Sequence, residues 1–306
     1  MRCVRELGRE RPRRRASVRQ RRRLSRLLFG PSPLGATTVG DDFTGFPLHE
    51  VFRQSVGSVA RVSVGRRVVA GKDLSAADAR EGWFDRVVFD GCSFAEADFS
   101  GTVVKRSEFR RCRFRATQFD DTLWGGPDRV FTDCVFESCR FEGQLRLWVS
   151  TFRSTRFVDC RLSNVDFGQS PFHGCSFSGH LASVQFAGPN APQKQLSSAR
   201  DAAFDIDFRE AELRDLSPMY GVDLAAARWP PTHRLVLATG DFLRGYRAQA
   251  DPAARPHVDV LLRILVTDKQ PQWVFSEQEL RSLAPEIASD LWQAILEHTT
   301  ARPDTG

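Results

Sequence analysis

Phenylalanine recurs at every fifth position through the middle of this chain, a spacing that neither an α-helix nor a flat β-strand repeats. A helix has a period of 3.6 residues and a strand a period of 2, so a five-residue period requires a backbone that turns a corner after each unit. The rings that keep this spacing, or resume it after a short interruption, are Phe84, Phe89, Phe94, Phe99, Phe109, Phe114, Phe119, Phe131, Phe136, Phe141, Phe152, Phe157, Phe167, Phe172 and Phe177.

A small or medium-sized residue lies two positions before most of the large residues that keep this spacing, which include Val104, Trp124 and Leu162 besides the rings, with polar or charged residues between. These residues are Cys92, Ala97, Thr102, Ser107, Cys112, Thr117, Thr122, Cys134, Cys139, Ser150, Thr155, Cys160, Val165, Ser170 and Cys175. Together with tracts such as Ala97-Asp98-Phe99, the pattern resembles the pentapeptide-repeat family. The resemblance implies a mainly β fold, a right-handed quadrilateral β-helix in which the large residue fills the interior and the small one packs beside it.

Four units per coil sort the large residues into four columns and five coils. The first two columns are Phe89, Phe109, Phe131, Phe152, Phe172 and Phe94, Phe114, Phe136, Phe157, Phe177. The other two are Phe99, Phe119, Phe141, Leu162, Leu181 and Val104, Trp124, Leu147, Phe167, Phe186. The interruptions then fall near one edge, where loops bulge outward without breaking the interior stacks.

The flanking composition predicts four regions. Residues 1–40 form a disordered arginine-rich arm, and residues 41–83 form an N-terminal cap with short strands. The β-helix spans 84–228 with a loop insertion near 188–203, and a small helical region occupies 229–306.

Helical patterning carries the last of these assignments. Val258, Leu261 and Leu265 recur at helical spacing, Ser276 opens a capping-box sequence, and Pro285 suits a helix start. We expect these helices to cap the open end of the solenoid, with a homodimer through them as the alternative. Some members of the family dimerise through C-terminal additions.

The net charge of +6 divides unevenly along the chain. Residues 1–40 hold 12 Arg and 2 Glu, which leaves 32 basic against 36 acidic residues in the remainder. The arm is interpreted first as a disordered leader and alternatively as a nucleic-acid-binding segment. No apolar run approaches the roughly 20 residues that span a bilayer, so we expect no membrane partner and a cytoplasmic protein.

Six of the seven cysteines occupy the small interior position of the repeat. Adjacent coils would bring some of them within disulfide range, but buried reduced thiols are favoured. Their spacing follows the coil and matches no zinc template, so we expect no metal and no cofactor.

The sequence lacks the motifs that carry enzyme chemistry. It contains no P-loop, G-x-G-x-x-G, H-E-x-x-H or G-x-S-x-G pattern, and its six histidines are scattered. We therefore expect no enzyme activity and predict no catalytic residues.

Charged residues at outward positions form two candidate interaction surfaces. One is acidic: Asp98, Asp120, Asp121 and Glu142. The other is basic, with Arg110, Arg113, Arg115, Arg153 and Arg156 near one corner of the coils. Ion pairs of Arg111 with Asp133 and of Arg115 with Glu137 are the simpler interpretation of the basic set.

The leading functional hypothesis is a non-catalytic protein-interaction scaffold with an unidentified protein partner. The alternative drawn from the resemblance is a DNA-mimicking protector or modulator of a type II topoisomerase such as DNA gyrase, as some family members are. A third hypothesis is nucleic-acid binding through the arginine-rich arm. A body with a net charge of only −4 lacks the strongly acidic stripe that DNA mimicry requires.

Overall fold

The computed structural model describes residues 54–56, 59–61, 67–80, 83–124, 129–143, 145–188, 203–215, 219, 221–266 and 271–300. In these residues a parallel β-solenoid is followed by a smaller unit of helices and two strands. The arm predicted over residues 1–40 and most of the insertion predicted near 188–203 lie outside the described residues.

The solenoid is preceded by a short antiparallel hairpin, β1 (Gln54–Val56) and β2 (Val59–Arg61), whose second strand contacts β4. The solenoid strands are β3 (Arg67–Ala70), β4 (Trp83–Asp85), β5 (Val87–Asp90), β6 (Val103–Lys105), β7 (Glu108–Arg110), β8 (Arg113–Arg115), β9 (Arg129–Thr132), β10 (Val135–Glu137), β11 (Arg140–Phe141), β12 (Ser150–Arg153), β13 (Arg156–Ser163), β14 (Phe172–Ala182) and β15 (Phe204–Arg214). They pair in parallel with strands one coil earlier, one coil later or both.

The register of these strands confirms the four predicted columns. Phe109 pairs with Phe89 on one side and with Phe131 on the other, and Phe152 pairs with Phe131 and Phe172. We call the four faces side 1 to side 4, after the columns that begin at Phe89, Phe94, Phe99 and Val104. The mainly β solenoid that the family resemblance implies is confirmed.

Aromatic stacking fills the interior of the coils. On side 2, Phe136 lies parallel to Phe114 at 4.5 Å and to Phe157 at 4.8 Å between ring centroids. Rings of neighbouring sides meet edge to face, as Phe89 and Phe94 do at 5.3 Å. Both arrangements suit the ring quadrupole, and burial of each ring contributes roughly 2–3 kcal/mol before entropy is counted.

Corners between sides are formed by residues in the left-handed conformation. In most units the residue two positions after the large residue has a positive φ, for example Glu96 at 58° and Ala116 at 50°. The amide of Ala116 donates to the carbonyl of Glu137 on the next coil at 2.9 Å. An L-residue pays roughly 1–2 kcal/mol for this conformation, so the inter-coil hydrogen bonds and ring stacks must offset it.

The solenoid begins one coil earlier than the predicted boundary at residue 84. Strand β3 pairs with β5, and Asp73 and Asp78 form parallel bridges to Ser93 and Asp98. The interior positions of this first coil hold Val69, Leu74 and Ala79 instead of phenylalanine. Because none of these residues is aromatic, the periodic pattern in the sequence does not reveal the first coil.

The C-terminal region contains strands as well as the predicted helices. Its elements are a 3-10 turn (Leu224–Ala226), β16 (His233–Val236), α1 (Thr239–Gln249), α2 (Arg255–Leu265), β17 (Trp273–Ser276), α3 (Glu277–Leu283) and α4 (Ala288–Thr300). Strands β16 and β17 pair antiparallel. Each has only four residues, which is too few for an alternating pattern to predict a strand from the sequence. The capping box at Ser276 is present, whereas Pro285 lies between α3 and α4 and does not start a helix.

The C-terminal unit covers the end of the ring stack. The indole of Trp229 stacks on Phe208 at 5.1 Å, and its Nε1 donates to the carbonyl of Leu224 at 3.0 Å. Val274 of β17 belongs to the solenoid core, and Leu235 of β16 packs against that core. The helices bury a second core of their own, which includes Leu261 and Leu291. Among the described residues no helix is long and apolar enough to cross a bilayer.

Candidate interaction surface

The small interior residues leave only outward side chains free to interact with other molecules. The hydroxyl of Thr102 donates to the carbonyl of Ala79 at 2.9 Å, and the hydroxyl of Ser170 donates to the carbonyl of Leu147 at 3.0 Å. Each bond joins a small residue to the large-residue position about one coil earlier. Small donors therefore recur at this position because they satisfy a carbonyl inside the wall of the solenoid.

The six described cysteines are buried free thiols that follow the same rule. Cys112 donates to the carbonyl of Phe89 at 3.4 Å, and Cys139 to that of Phe114 at 3.3 Å. The neighbouring Cys134 thiol, together with burial, raises the pKa of Cys112 to about 12. Burial raises the pKa of Cys175 to about 11. The Cys112 and Cys175 thiols are therefore packing groups that resist ionisation.

The acidic candidates lie on side 3, where arginines bridge most of them. Arg140 contacts Asp120 at 3.0 Å and Glu142 at 3.8 Å, and Arg161 contacts Glu142 at 3.5 Å. The hydrogen bond that Arg140 donates to Asp120 and the charges of both carboxylates raise the pKa of Arg140.

The other two acidic candidates differ from each other in their surroundings. Arg80 contacts Asp98 at 3.5 Å. Asp121 occupies a left-handed corner, and its carboxylate lies over Gly143, where a Cβ would come within 2.4 Å of Oδ1. Side 3 is thus a ladder of alternating charge, so its carboxylates do not form a continuous negative surface.

The basic candidates lie on sides 1 and 2, and one of them, Arg110, is already paired, as is the neighbouring Arg111. Arg110 bonds to Glu108 within its own strand, and Arg111 contacts Asp90 of the preceding coil at 2.7 Å. The predicted pair of Arg111 with Asp133 does not form, because Arg111 turns toward the preceding coil.

Four arginines on sides 1 and 2 form no ion pair with any described residue: Arg113, Arg115, Arg153 and Arg156. All four are exposed, and we call them the arginine corner. The predicted pair of Arg115 with Glu137 is also absent, although the two residues are in register on adjacent strands.

Sequence reasoning missed a second set of ion pairs on the last coils. Asp207 accepts from Arg209 at 2.7 Å and lies 3.3 Å from Arg228. The hydrogen bond from Arg209 is the main cause that lowers the pKa of Asp207 to about 2. Glu212 pairs with Arg214 and His180, and the bond from Arg214 lowers its pKa. Extending the columns past the insertion would have aligned these residues.

The described residues contain no group of three or more His, Cys, Asp or Glu side chains placed to hold a metal ion. The one histidine with a large pKa shift is His233, whose burial lowers its pKa to about 4. It lies in β16 at the C-terminal unit, away from the two charged surfaces.

The fold and the surface together define a four-sided β-solenoid with five-residue sides, closed inside and charged outside. Residues 73–111 and 92–122 match the family model described as pentapeptide repeats, in eight copies. Residues 73–122 are therefore pentapeptide repeats, as the sequence predicts. No curated protein sequence matches it.

Solved structures of two repeat proteins resemble the chain weakly. A trypsin-treated variant of QnrB1, a plasmid-mediated fluoroquinolone resistance protein, is 15% identical over 52% of this chain and 77% of its own, with a TM-score of 0.35. HetL from Nostoc sp. strain PCC 7120, a pentapeptide-repeat protein involved in heterocyst differentiation regulation, is 12% identical over 53% and 85%, with a TM-score of 0.25. Scores this low carry no argument about function.

Proposed function

We propose that this protein is a non-catalytic scaffold that presents fixed rows of side chains to a protein partner. The observation that carries the proposal is the register of the wall. Val135, for example, pairs with Arg113 on one coil and with Arg156 on the next, so outward side chains stand in rows one strand spacing apart, roughly 4.8 Å. The closed ring interior keeps these rows rigid, which lowers the entropy cost of binding.

Site-specific photo-crosslinking tests this proposal. A photoreactive phenylalanine analogue replaces one outward residue on each side: Thr151, Val135, Gln118 and Leu123. If the partner binds one side, the analogue on that side is expected to crosslink a single protein in living cells. The analogue on the opposite side is expected not to crosslink that protein. If no protein is captured from any of the four sides, the scaffold proposal is wrong.

A topoisomerase modulator is the second candidate function, and the grouping of Asp98, Asp120 and Glu142 on one side favours it. Their pairing with arginines weakens the resemblance to DNA, because a mimic presents uncompensated charge. Supercoiling by purified gyrase, with and without a quinolone, tests it. Protection at micromolar protein would support the modulator, and unchanged supercoiling and inhibition would reject it.

Nucleic-acid binding through residues 1–40 stays a prediction, because the arm lies outside the described residues. Deletion of residues 1–40 is expected to abolish salt-sensitive DNA retention if the arm carries it. Equal retention by the truncated chain would exclude the arm.

Homodimerisation through the helices also stays a prediction. On α2 the apolar residues Val260 and Ile264, one turn apart, are 41% and 51% exposed, which leaves a face that a second copy would cover. Sedimentation of Val260→Lys against the unaltered protein tests it, with a shift to monomer as the expected result.

A cytoplasmic location is also part of the proposed function, since neighbouring free thiols persist in a reducing compartment.

A further inference from the structure

We propose that the arginine corner binds an extended acidic segment of a protein partner, with carboxylates at every third residue. This inference rests on the scaffold function and adds the chemistry of the partner. It starts from the exposed arginines of the solenoid that form no ion pair with a described residue. Six such arginines are described; four make up the arginine corner, and the other two, Arg86 and Arg146, lie apart from it on side 4.

The ladder explains why Arg113 and Arg156 have no carboxylate partner. The register neighbours of Arg113 are Ser93 and Val135, and those of Arg156 are Val135 and Ser176. None of these neighbours carries a charge.

Arg153 is placed in the same way on side 1. It pairs with Thr132 on the preceding coil and with His173 on the following coil. On side 3, by contrast, Arg140 and Arg161 have carboxylates within 4 Å. The guanidinium groups of the corner therefore keep their hydrogen-bond donors available for an external anion.

The charge of the surroundings favours a peptide over a nucleic acid. Asp133 and Glu137 are exposed between the two arginine-bearing coils, in register with Arg111 and Arg115 respectively. A continuous phosphate backbone would have to cross these carboxylates. A peptide with separated carboxylates can place each one against an arginine and leave neutral residues over Asp133 and Glu137.

The spacing of the arginines indicates the form of the peptide. Arg113 and Arg156 occupy the same row two coils apart, which is roughly 10 Å at the strand spacing of a sheet. A polyproline II segment advances about 3.1 Å per residue with three residues per turn, so every third side chain lies on one face about 9.3 Å apart. A segment of this form, with an acidic residue at every third position, would follow the row along the solenoid axis.

The test measures fluorescence anisotropy of a fluorescein-labelled (Glu-Pro-Pro)4 peptide with the full chain in 50 mM NaCl. Each exposed ion pair contributes little, so binding is expected to be weak and salt-dependent. The double variant Arg113→Gln/Arg156→Gln is expected to weaken binding at least fivefold. The matched control Arg86→Gln/Arg146→Gln removes the same charge from unpaired arginines of side 4, and it is expected to weaken binding less than twofold.

Three results would overturn the inference. The first is an equal loss in both double variants, which would show general attraction to the net charge or to the arm that all variants share. The second is equal affinity for a peptide of the same composition with its four glutamates in one run, which would remove the spacing argument. The third is a 20-base-pair DNA duplex that binds more tightly than the peptide and depends on Arg113 and Arg156, which would make the partner a nucleic acid.

Failure of this inference is distinguishable from failure of the scaffold. If the corner variants leave peptide binding unchanged while photo-crosslinking still captures a protein, the scaffold acts through another side and only the inference is wrong. If crosslinking captures nothing on any side, the scaffold itself fails.

Discussion

The hydroxyl of Thr117 donates a hydrogen bond to the carbonyl oxygen of Phe94, 2.6 Å away on the preceding coil. This bond joins the two interior positions of the repeat, the small one and the large one. It shows that the small residue does more than leave room for the rings, because it also ties one coil to the next. The predictions below follow from this wall and from the ring stack behind it.

Replacement of Thr117 by valine keeps the volume and removes the donor. We expect Thr117→Val to lower the free energy of unfolding by about 1 kcal/mol, the usual contribution of one hydrogen bond. The carbonyl of Phe94 also accepts from the amide of Ala97, which limits the cost. Urea unfolding followed by circular dichroism measures the change. Thr117→Ser keeps the hydroxyl and serves as the control, so a larger loss in serine than in valine would contradict the bond's role.

Removal of one ring from the middle of a stack is expected to cost much more. Phe136→Ala should lower the free energy of unfolding by about 3–5 kcal/mol, because it leaves a cavity between Phe114 and Phe157. Phe136→Leu keeps most of the volume and should cost less than about 1.5 kcal/mol. Guanidinium titrations of both variants measure the difference. Equal effects of alanine and leucine would mean that the stack is not close-packed.

Glycine at a left-handed corner is expected to stabilise the protein. Ala116 has a φ of 50° and is exposed, so Ala116→Gly relieves backbone strain without a loss of packing. The gain should be about 0.5–1 kcal/mol after the added chain entropy of glycine is counted. Ala95→Gly, on the same side but without a positive φ, is the control and should destabilise by a similar amount. A thermal melt of each variant shows the sign, and destabilisation in both would contradict the corner geometry.

Protonation of His233 is expected to weaken the C-terminal unit in mild acid. Burial lowers the pKa of His233 from 6.5 to about 4, so the unfolded chain binds this proton more readily than the folded one. Stability from this group is complete above pH 6.5 and is lost as the pH falls toward 4, by up to about 3 kcal/mol. Hydrogen exchange of residues 233–300 at pH 7.5 and pH 5 measures the loss. His233→Gln should flatten the pH dependence, and an unchanged slope would show that another group causes it.

The buried thiols are expected to react only when the chain unfolds. In a Cys3→Ser protein, the six remaining cysteines should react with a thiol reagent at pH 8 at least about a hundredfold more slowly in the native state than in 6 M guanidinium. The raised pKa values of Cys112 and Cys175 and the burial of all six thiols cause the protection. Rapid reaction of any one of them in the native protein would show that its coil opens locally.

The sequence predicted the solenoid well wherever its large residues were aromatic. The columns through Phe89 and Phe94 are correct because a ring in every unit makes a five-residue period unmistakable. The boundary predicted at residue 84 left out Val69, Leu74 and Ala79, which fill the same interior positions without being distinctive in sequence. It also failed at β16 and β17, whose four residues each are too few for a period to be recognised.

The candidate surfaces were predicted in position but not in pairing. Column alignment placed Asp120 and Glu142 on one side and Arg113 and Arg156 on another. It could not show that Arg140 reaches two carboxylates, because the direction of a long exposed side chain depends on its rotamer and on the neighbouring coils.

The sequence by itself determined the coil, because a large apolar residue at every fifth position can be buried only if the backbone turns between units. Tertiary structure alone decided which charges are compensated. Arg111 finds Asp90 on the preceding coil, whereas Arg113 stands between Ser93 and Val135 and finds no carboxylate. The burial of the large residues follows from their five-residue spacing, which can be read from a short stretch of the sequence. Ion pairing between coils depends on residues about twenty positions apart that meet only after the chain has wound around once.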